Sequence, residues 1–559
     1  MTAETPGDPP VPTDLTALMA GLADAHADRV AAVERGRAGT TRTLTFAGLR
    51  DAATAVAARL RAAGVRRGDV LAVWLPNWLE SLTWQFGAAM LGAGVLGVNT
   101  RYHVHELTHL LTLARPVCVA LPRTFLGLDF AGRLRDAVAE ARRAVPDLRP
   151  PAVVPIDGPP VPPGTAVTDD VDAGGGVWHE TADAAPGPAE GTGADMACYF
   201  TTSGSTGAPK LAGHSQAALA RHAVRGAAAL EIRPGDAMLC ALPLAGTFGL
   251  NAAFAALAGG AACVLEPVFD ADRTLDHMAA YEVTHTVGGD GLIGRLMDAW
   301  REHPRKLDAW RRGAIAEFNG RVPEIAAWAQ REFGALISGV YGSSEVFALT
   351  SVRPFDLPPD RRAPGGGAVV DPGIEVRVAD LVTGEPRPDG ESGELQFRGY
   401  NVLPEYLGNA EATAAAFTGD GWFRTGDLGT VDGPGRFTYA CRAGDALRVR
   451  GFLVEPAEIE RFLTTHDAVE MAKVVGADDA SGTPVAVAFV TLRAGARAAA
   501  DELRAYCADS LAPFKVPARV VIIPEFPTTT GTNGSKIRAA ELRSRAAELL
   551  APSPEDETR

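Results

Sequence analysis

Apolar positions in the amino-terminal part of the chain alternate between helical and strand-like spacing. Over residues 44–65 they recur every three or four positions, as on one face of a helix, and residues 70–75 form a continuous apolar run typical of a buried strand. Further segments repeat this alternation at 79–91, 95–98, 106–113 and 117–121. Helices that alternate with short apolar strands predict a parallel α/β sheet.

Two later regions depart from this pattern. Residues 146–193 are rich in Pro, Gly, Ala and Asp with little apolar periodicity, which predicts a mostly exposed insertion or linker. The uncharged run 237–265 is long enough to resemble a membrane span, but Pro243 and Asn251 interrupt it. We therefore expect a buried strand, a loop, a helix and a second strand there, and no membrane span.

The carboxy-terminal apolar segments predict a separate, smaller domain. Strand-like runs occupy 469–475, 485–492 and 520–523, and a helical stretch lies at 499–511. Together they indicate an α+β domain of about a hundred residues, within the usual size range of domains.

Length and charge narrow the function classes. With 559 residues the chain is too long for one core, and its 47% hydrophobic content with mixed charge is typical of a globular protein. The net charge of −15 disfavours nucleic-acid binding, so a phosphate site must create its own local positive field. The six cysteines form no C-x-x-C pair and the amino terminus has no signal-peptide pattern, which together predict a cytoplasmic protein.

A phosphate-binding loop is indicated at 202–210, where the sequence is TSGSTGAPK. Glycines let the backbone approach an anion, hydroxyls donate to phosphate oxygens, and a lysine adds positive charge. The spacing excludes a Walker A loop, because Pro209 precedes the lysine and Leu211 follows it. A flexible linker is disfavoured, since the loop lies between two apolar stretches. The assigned residues are Thr202, Ser203, Gly204, Ser205, Thr206, Gly207 and Lys210.

Two further clusters offer nucleotide contacts. In YGSSE at 341–345, Tyr341 can stack on a base, Ser344 can donate to a phosphate, and Glu345 can hold Mg²⁺. Asp427 follows a glycine turn, and one carboxylate can accept both hydroxyls of a ribose. Taken alone, the first cluster would more often be a capped strand-to-helix turn, and the second would suit an ordinary turn.

Five segments together resemble the adenylate-forming, or AMP-binding, enzyme superfamily in order and spacing, and are most similar to acyl-CoA synthetases. They are 202–210, YGSSE at 341–345, TGD at 425–427, RAGD at 442–445 and NGSKI at 533–537. The resemblance implies an α/β fold with a large amino-terminal domain, residues 1–444, of layered α/β subdomains plus a β-rich part. It also implies a small mobile α+β carboxy-terminal domain, residues 445–559, with Asp445 at the hinge.

The same resemblance implies two half-reactions. A carboxylic acid and Mg-ATP give an acyl-adenylate and pyrophosphate, and a nucleophile then displaces AMP. The implied roles are ribose binding by Asp427 and Arg442, Mg²⁺ binding by Glu345, adenine contact by Tyr341, and placement of Lys536 between the carboxylate and the α-phosphate. Asn319, in the loop before the tyrosine motif, is counted among the nucleotide-contacting residues, and Ser344 among the catalytic ones.

Lys536 suits its implied role on physical grounds. Two anions must meet, so a lysine that touches both neutralises their repulsion and orients in-line attack. The preceding polar stretch 528–534 contains two glycines and predicts a flexible loop able to enter a cleft. A solvated surface lysine is the alternative.

Departures from the family pattern bear on the substrate. Ala245 and Gly246 stand where acyl-CoA synthetases commonly have an aromatic residue and a histidine, and Asp290 brings a charge near the expected acyl pocket. A buried carboxylate is costly without a partner, so Asp290 either binds a substrate amine or hydroxyl or lies in an exposed turn. With Asn319 it predicts a polar pocket for a compact acid, aromatic or amino-substituted.

Three functions remain open at this point. The first is an acid:CoA ligase that uses ATP, Mg²⁺ and CoA. The second keeps adenylation but transfers to an amine or a carrier protein, or activates nitrite for diazotisation of an aryl amine. The third is an inactive nucleotide-binding homologue, which retention of Lys536, Asp427 and Glu345 disfavours. The sequence predicts neither the acid nor the oligomeric state.

Overall fold

The computed structural model describes residues 11–35, 40–159, 174–176, 186–202, 209–443, 447–449, 452–454, 456–479, 484–511, 513–531 and 534–551. The helices are α1 (Leu15–His26), α2 (Phe46–Ala62), α3 (Leu79–Leu91), α4 (Val104–Ala114), α5 (Phe130–Ala144), α6 (Gln216–Ala229), α7 (Thr247–Ala258), α8 (Ala271–Ala280), α9 (Asp290–Glu302), α10 (Val322–Phe333), α11 (Pro359–Arg362), α12 (Ala410–Ala416), α13 (Pro456–Thr464), α14 (Ala500–Ser510) and α15 (Ala539–Leu550).

The strands of the amino-terminal part are β1 (Val30–Arg35), β2 (Thr41–Thr45), β3 (Val70–Val73), β4 (Gly94–Gly97), β5 (Cys118–Pro122), β6 (Ala152–Ile156), β7 (Met196–Thr201), β8 (Leu211–Ser215), β9 (Ala237–Cys240), β10 (Ala262–Leu265), β11 (His285–Gly289), β12 (Arg312–Ala316), β13 (Leu336–Tyr341), β14 (Ser351–Val352), β15 (Gly366–Val369), β16 (Ile374–Ala379), β17 (Ser392–Gly399), β18 (Phe423–Val431) and β19 (Arg436–Arg442). Those of the carboxy-terminal part are β20 (Leu447–Val449), β21 (Phe452–Val454), β22 (Val469–Asp478), β23 (Pro484–Leu492), β24 (Arg519–Ile522), β25 (Thr528–Gly531) and β26 (Gly534–Ile537).

The first apolar alternation forms a six-stranded sheet in the order β6-β5-β3-β4-β7-β8. Its strands are parallel except for β8, which runs antiparallel to β7. The predicted parallel sheet is therefore confirmed. The prediction of a mostly exposed insertion at 146–193 is wrong at β6, because all five of its residues are buried against β5.

A second sheet spans thirteen of the described strands and changes character halfway. Strands β13, β12, β11, β9, β10 and β1 are parallel neighbours. Beyond β13 the sheet continues antiparallel through β14, β15, β19, β18, β17 and β16, which form the β-rich part. The run 237–265 folds into β9, a loop, α7 and β10, as expected.

Helices α3, α6 and α7 lie between the two sheets. Their apolar residues share one core with β3 and β7 of the first sheet and with β9 of the second. Phe86 of α3 and Phe254 of α7 stack at 5.0 Å between ring centroids. Because this helical layer is buried on both sides, α7 is apolar all around, which explains its membrane-like composition. Within the described residues no helix has both the length and the apolar character needed to cross a membrane.

The carboxy-terminal part has its own core. Strands β22, β23 and β24 form a three-stranded sheet, with α13 and α14 packed on one face and α15 on the other. The predicted α+β elements are thus confirmed. The described residues of the stretch 528–534 belong to the strands β25 and β26, which pair antiparallel, and the flexibility expected there stays a prediction. Residues 444–446 lie outside the described residues, so the 444/445 boundary and the Asp445 hinge stay predictions.

Candidate active site

Several candidate residues of the amino-terminal part lie at one edge of the large sheet. Strands β13, β12, β11 and β9 are neighbours and their adjacent pairs are parallel, so the loops after them emerge at the same edge. These loops and the helix starts that follow them carry the residues selected from the sequence: Ala245 and Gly246, Asp290, Asn319, and the segment 341–345. Carboxyl ends of parallel strands are the usual ligand-binding edge of such sheets.

Asp427 is held from two directions. It pairs in register with Arg442 across β18 and β19, and the guanidinium Nη1 of Arg442 lies 2.9 Å from its Oδ1. The hydroxyl of Tyr341 donates to Oδ2 over 2.6 Å. Burial raises the pKa of Asp427, and the Arg442 charge opposes this. The two partners fix the carboxylate plane, and each oxygen keeps a free lone pair for a further donor.

Tyr341 is itself immobilised by aromatic packing. Its ring is buried, lies nearly parallel to that of Phe397 at 5.7 Å, and meets Phe437 edge-on at 5.2 Å. Burial and the Asp427 charge keep the pKa of Tyr341 well above its usual value, so its hydroxyl remains a donor. The sequence suggested only a base contact for Tyr341, whereas the structure also makes it a support for Asp427.

The stem of the phosphate loop is closed, and its lysine lies on an aromatic ring. The backbone N–H of Thr202 donates to the Lys210 carbonyl over 2.9 Å. The ammonium of Lys210 lies 4.4 Å from the ring centroid of Tyr406, whose hydroxyl donates to Glu345 Oε1 over 3.2 Å. Ser203, Gly204, Ser205, Thr206 and Gly207 lie outside the described residues.

Ser344 is fixed by the strand that follows the phosphate loop and by α7. Thr247, at the start of α7, donates to Ser344 Oγ over 3.2 Å, and His214 Nε2 lies 2.7 Å from the Ser344 carbonyl. Burial lowers the pKa of His214 to about 4, so the ring is neutral. A carbonyl can only accept, so Nε2 carries the proton. The His214 ring stacks on Phe347 with 4.0 Å between ring centroids, and this contact supports the turn that carries Ser344.

The structure corrects the role expected for Asp290. Its side chain is fully buried at the first turn of α9, where it accepts hydrogen bonds from the Asn319 backbone N–H (2.7 Å), the Asn319 side-chain amide (3.0 Å) and the Arg321 N–H (3.2 Å). The carboxylate therefore lies neither in an exposed turn nor open to a substrate group. Burial raises the pKa of Asp290, and backbone donors from the loop before α10 oppose this. Asp290 orders the loop that carries Asn319.

The small residues after β9 do not leave a large space. A Cβ placed on Gly97, at the end of β4, would lie 2.7 Å from the Ala245 oxygen and 2.8 Å from its Cα. The backbone at Ala245 therefore packs directly on β4. Beside it remains a cavity of about 20 Å³, room for roughly one water. Gly246 is buried and is the residue from which α7 begins. At Ala245 the loop is packed onto β4, and the assignment of Ala245 and Gly246 to the substrate stays a prediction.

Several residues that support the site were missed in the sequence. Tyr102 shares a 3.0 Å hydrogen bond with the Thr201 hydroxyl, and His109 Nε2 lies 2.6 Å from the Pro209 carbonyl, so residues in and just before α4 hold both stems of the phosphate loop. Tyr406 was missed because its segment joins the site through contacts with residues distant in sequence, among them the pairing with β8 and a backbone hydrogen bond to Glu345. The order and spacing of the motifs carry no signal for such tertiary contacts.

Two further sequence candidates lie wholly or partly outside the described part of the chain. Lys536 lies in β26, a strand that contacts α9, and its side chain is outside the described part. Asp445 is likewise outside it. Among the described residues, no group of three or more His, Cys, Asp or Glu side chains is arranged to hold a metal ion.

Comparison with known proteins identifies the architecture. Residues 21–407 match the family described as AMP-binding enzyme, and residues 458–532 match its C-terminal domain. The chain is 31% identical to a 3-[(3aS,4S,7aS)-7a-methyl-1,5-dioxo-octahydro-1H-inden-4-yl]propanoyl:CoA ligase of Rhodococcus jostii, over 87% of this chain and 91% of that one. It is 30% identical to an indoleacetate–CoA ligase of Aromatoleum aromaticum, over 93% and 97% of the two chains.

A solved structure agrees with these sequence relatives. The crystal structure of ATP-bound MatB from Rhodopseudomonas palustris superposes with a TM-score of 0.77 at 26% identity, covering 96% of this chain and all of the other. The similarity extends through both the large and the small parts of the fold. The resemblance stated from the sequence motifs is therefore confirmed.

Proposed function

The chain belongs to the AMP-binding enzyme family and is an AMP-forming acid:CoA ligase, and we propose that its acid is compact and ring-bearing. It activates a carboxylic acid with ATP as an acyl-adenylate, releasing pyrophosphate, and then transfers the acyl group to CoA. The observation that supports the proposed site is that Lys210 and Glu345 contact the same side chain, Tyr406, while Asp427 is held by Tyr341, four residues before Glu345.

We assign the nucleotide as follows. The carboxylate of Asp427, fixed by Arg442 and Tyr341, accepts the ribose hydroxyls, because its plane is set and each oxygen can accept a further hydrogen bond. Lys210 and the loop it closes bind the phosphates. In a chain of net charge −15, the two cations Lys210 and Arg442 supply the local positive field that a polyphosphate requires.

A magnesium ion fits this arrangement. Mg²⁺ prefers one or two carboxylates together with phosphate oxygens. Glu345 offers one carboxylate, and Tyr406 donates to only one of its oxygens. We assign Mg²⁺ to Glu345, where the ion, when bound, neutralises phosphate charge.

Lys536 is assigned to the first half-reaction. The acid carboxylate must approach the α-phosphate, and both are anions. An ammonium between them offsets their repulsion and orients the attack in line with departing pyrophosphate. The backbone of Lys536 lies within β26, which pairs with β25.

Two observations support the proposed class of acid. The relatives from Rhodococcus and Aromatoleum act on acids that each carry a fused ring system on a short carboxylate arm. In this chain the loop after β9 is packed on β4, which leaves no extra depth at that point for a long alkyl chain. The Asp290 carboxylate is engaged by its own loop, so a substrate amine is not part of the proposal.

The location proposed is the cytoplasm. All six cysteines lie in the described part of the chain and are buried, and no disulfide joins any of them. Cysteines without disulfides are typical of a reducing compartment.

Acid-dependent exchange of labelled pyrophosphate into ATP tests the proposal. Ring-bearing acids with short carboxylate arms should support exchange well above the acid-free rate, and straight-chain fatty acids should not. For the best acid, addition of CoA should release AMP together with an acyl-CoA. Exchange with fatty acids alone would refute the class of acid, and absence of exchange with any acid would refute the proposed activity.

A further inference from the structure

Residues 403–407 form a short segment, here called the strap, that connects two parts of the nucleotide site. At one end the Leu403 N–H donates to the Glu345 carbonyl over 2.8 Å. At the other end the Leu407 N–H donates to the Leu211 carbonyl over 2.9 Å. Leu211 opens β8 and directly follows Lys210. The backbone of the strap therefore fixes the turn that carries Glu345 relative to the stem of the phosphate loop.

The strap places one aromatic side chain between these two parts. Tyr406 is 4% exposed. Its ring face lies against the Lys210 ammonium at 4.4 Å, and its hydroxyl donates to Glu345 Oε1 over 3.2 Å. Burial and the Glu345 charge raise the pKa of Tyr406, so the phenol stays protonated and remains a donor.

Lys210 and Glu345 carry opposite charges, and both contact Tyr406, the lysine at the ring face and the glutamate at the hydroxyl. Within the described part of the chain no ion pair joins them. A direct ion pair would neutralise both groups before ATP and metal arrive, and breaking it would oppose binding. A cation–π contact of about 0.5–2 kcal/mol and a single hydrogen bond orient the two charges while leaving each able to take a stronger partner.

We propose that Tyr406 is a positioning residue that keeps Lys210 and Glu345 separate. It orients Lys210 toward the phosphates and Glu345 toward Mg²⁺. This proposal rests on the roles proposed above for Lys210 and Glu345. The ring and the hydroxyl have separable tasks. The ring positions the lysine, which acts on ATP with or without metal, and the hydroxyl positions the carboxylate, which acts only through the metal.

Two substitutions separate these tasks. Tyr406→Phe keeps the ring and removes only the hydroxyl, and Tyr406→Leu removes both. Tyr400 offers a matched control, because its ring lies under the Arg221 guanidinium at 4.6 Å and its hydroxyl hydrogen-bonds His222 Nδ1 at 3.1 Å. Tyr400→Phe therefore removes the same kind of hydroxyl from the same kind of ring, at a position we do not assign to the nucleotide.

The readout is the dissociation constant of ATP, measured by calorimetry on the full chain, once with MgCl₂ and once with EDTA. For Tyr406→Phe we expect the affinity for ATP in EDTA to be unchanged. The factor by which Mg²⁺ increases that affinity should be about tenfold smaller than in the wild type, equivalent to roughly 1.4 kcal/mol. Tyr406→Leu should lose this gain and also bind metal-free ATP about threefold to tenfold more weakly. Tyr400→Phe should match the wild type in both buffers.

Three results would overturn the proposal. The first is wild-type behaviour of both Tyr406 variants. The second is an equal loss in both buffers for Tyr406→Phe, which would indicate general loosening and not placement of Glu345. The third is a loss in Tyr400→Phe as large as that in Tyr406→Phe. Tyr406→Phe preserves shape, so it carries the test even if Tyr406→Leu fails to fold. A wild type that binds no ATP at all would overturn the nucleotide site itself.

Discussion

Three carboxylates of the site are each held by a partner from another segment of the chain: Asp427 by Arg442, Glu345 by Tyr406 and Asp290 by Asn319. Asp427, Arg442 and Glu345 were selected from short motifs, and the structure gives each a specific partner. Asp290 was selected because its charge is unusual at that position, and that reasoning gave the wrong role. Sequence alone could not show that the loop after β12 folds back and supplies hydrogen-bond donors to its carboxylate.

The corrected role of Asp290 makes a residue-level prediction. Asp290→Asn replaces one of two acceptor oxygens by a donor that faces N–H groups, so the Asn319 loop should loosen. We expect a loss of about 1–3 kcal/mol in the free energy of unfolding, measured by denaturant titration. Pyrophosphate exchange should fall by the same factor for every acid tested.

Glu302→Gln, at the exposed end of the same helix, is the matched control and should behave as the wild type. Selective loss of amino- or hydroxy-substituted acids in Asp290→Asn, with stability unchanged, would restore the substrate-binding role.

At the level of elements, the periodicity of apolar residues predicted the parallel strands well. It failed where the governing contact is distant in sequence. Strand β6 was hidden in a proline- and glycine-rich region because its burial depends on pairing with β5. In the hairpin of β25 and β26 the only large apolar residue is Ile537, so there is no apolar alternation to detect. The antiparallel half of the large sheet was expected only from the family resemblance, as the β-rich part.

The contact between β4 and the loop after β9 makes a prediction at this level. Gly97→Ala adds a methyl group that would meet the Ala245 backbone at 2.7 Å, so the loop must move. Because this loop carries Ala245 and Gly246, which the sequence analysis places at the acyl pocket, we expect a several-fold higher KM for the acid with the dissociation constant of ATP unchanged. Steady-state kinetics and calorimetry measure the two quantities.

Gly21→Ala serves as the control, since a Cβ there meets nothing within 4 Å. An unchanged KM for the acid in Gly97→Ala would mean that the loop after β9 does not shape the acid site.

At the scale of the whole molecule, stability should depend on a buried carboxylate far from the reaction. Glu34 is 0% exposed in β1 and contacts Arg42 at 2.6 Å, while Arg42 also binds Glu80 at 2.7 Å. Burial outweighs the Arg42 charge and raises the pKa of Glu34 to about 7. The folded state therefore holds this proton more tightly than the unfolded state does.

The resulting stability is fully present below the ordinary pKa of a glutamate and is lost as pH rises through about 7. Glu34→Gln cannot titrate. The free energy of unfolding of the wild type minus that of Glu34→Gln should therefore decrease between about pH 5 and about pH 8. Denaturant titrations at both values measure it. A difference that is constant, or that increases with pH, would show that Glu34 is ionised throughout this range.

The division of the chain into two parts bears on how the reaction is divided. Family matches end at residue 407 and resume at 458, and we propose a boundary at 444/445 with Asp445 as the pivot. Lys536 belongs to the small part, whereas Glu345 and Asp427 belong to the large one. A residue on the small part can therefore serve one half-reaction and be absent from the other.

The most direct test is to assay Lys536→Ala in each half-reaction separately, using the acid that gives the strongest exchange. The variant should lose acid-dependent pyrophosphate exchange by at least about a hundredfold while its dissociation constant for ATP stays near that of the wild type. Supplied with the preformed acyl-adenylate and CoA, it should still release AMP and acyl-CoA at a rate close to the wild type, because no second anion has to approach the α-phosphate in that step. Equal loss in both half-reactions, or exchange that survives the substitution, would contradict the assigned role of Lys536.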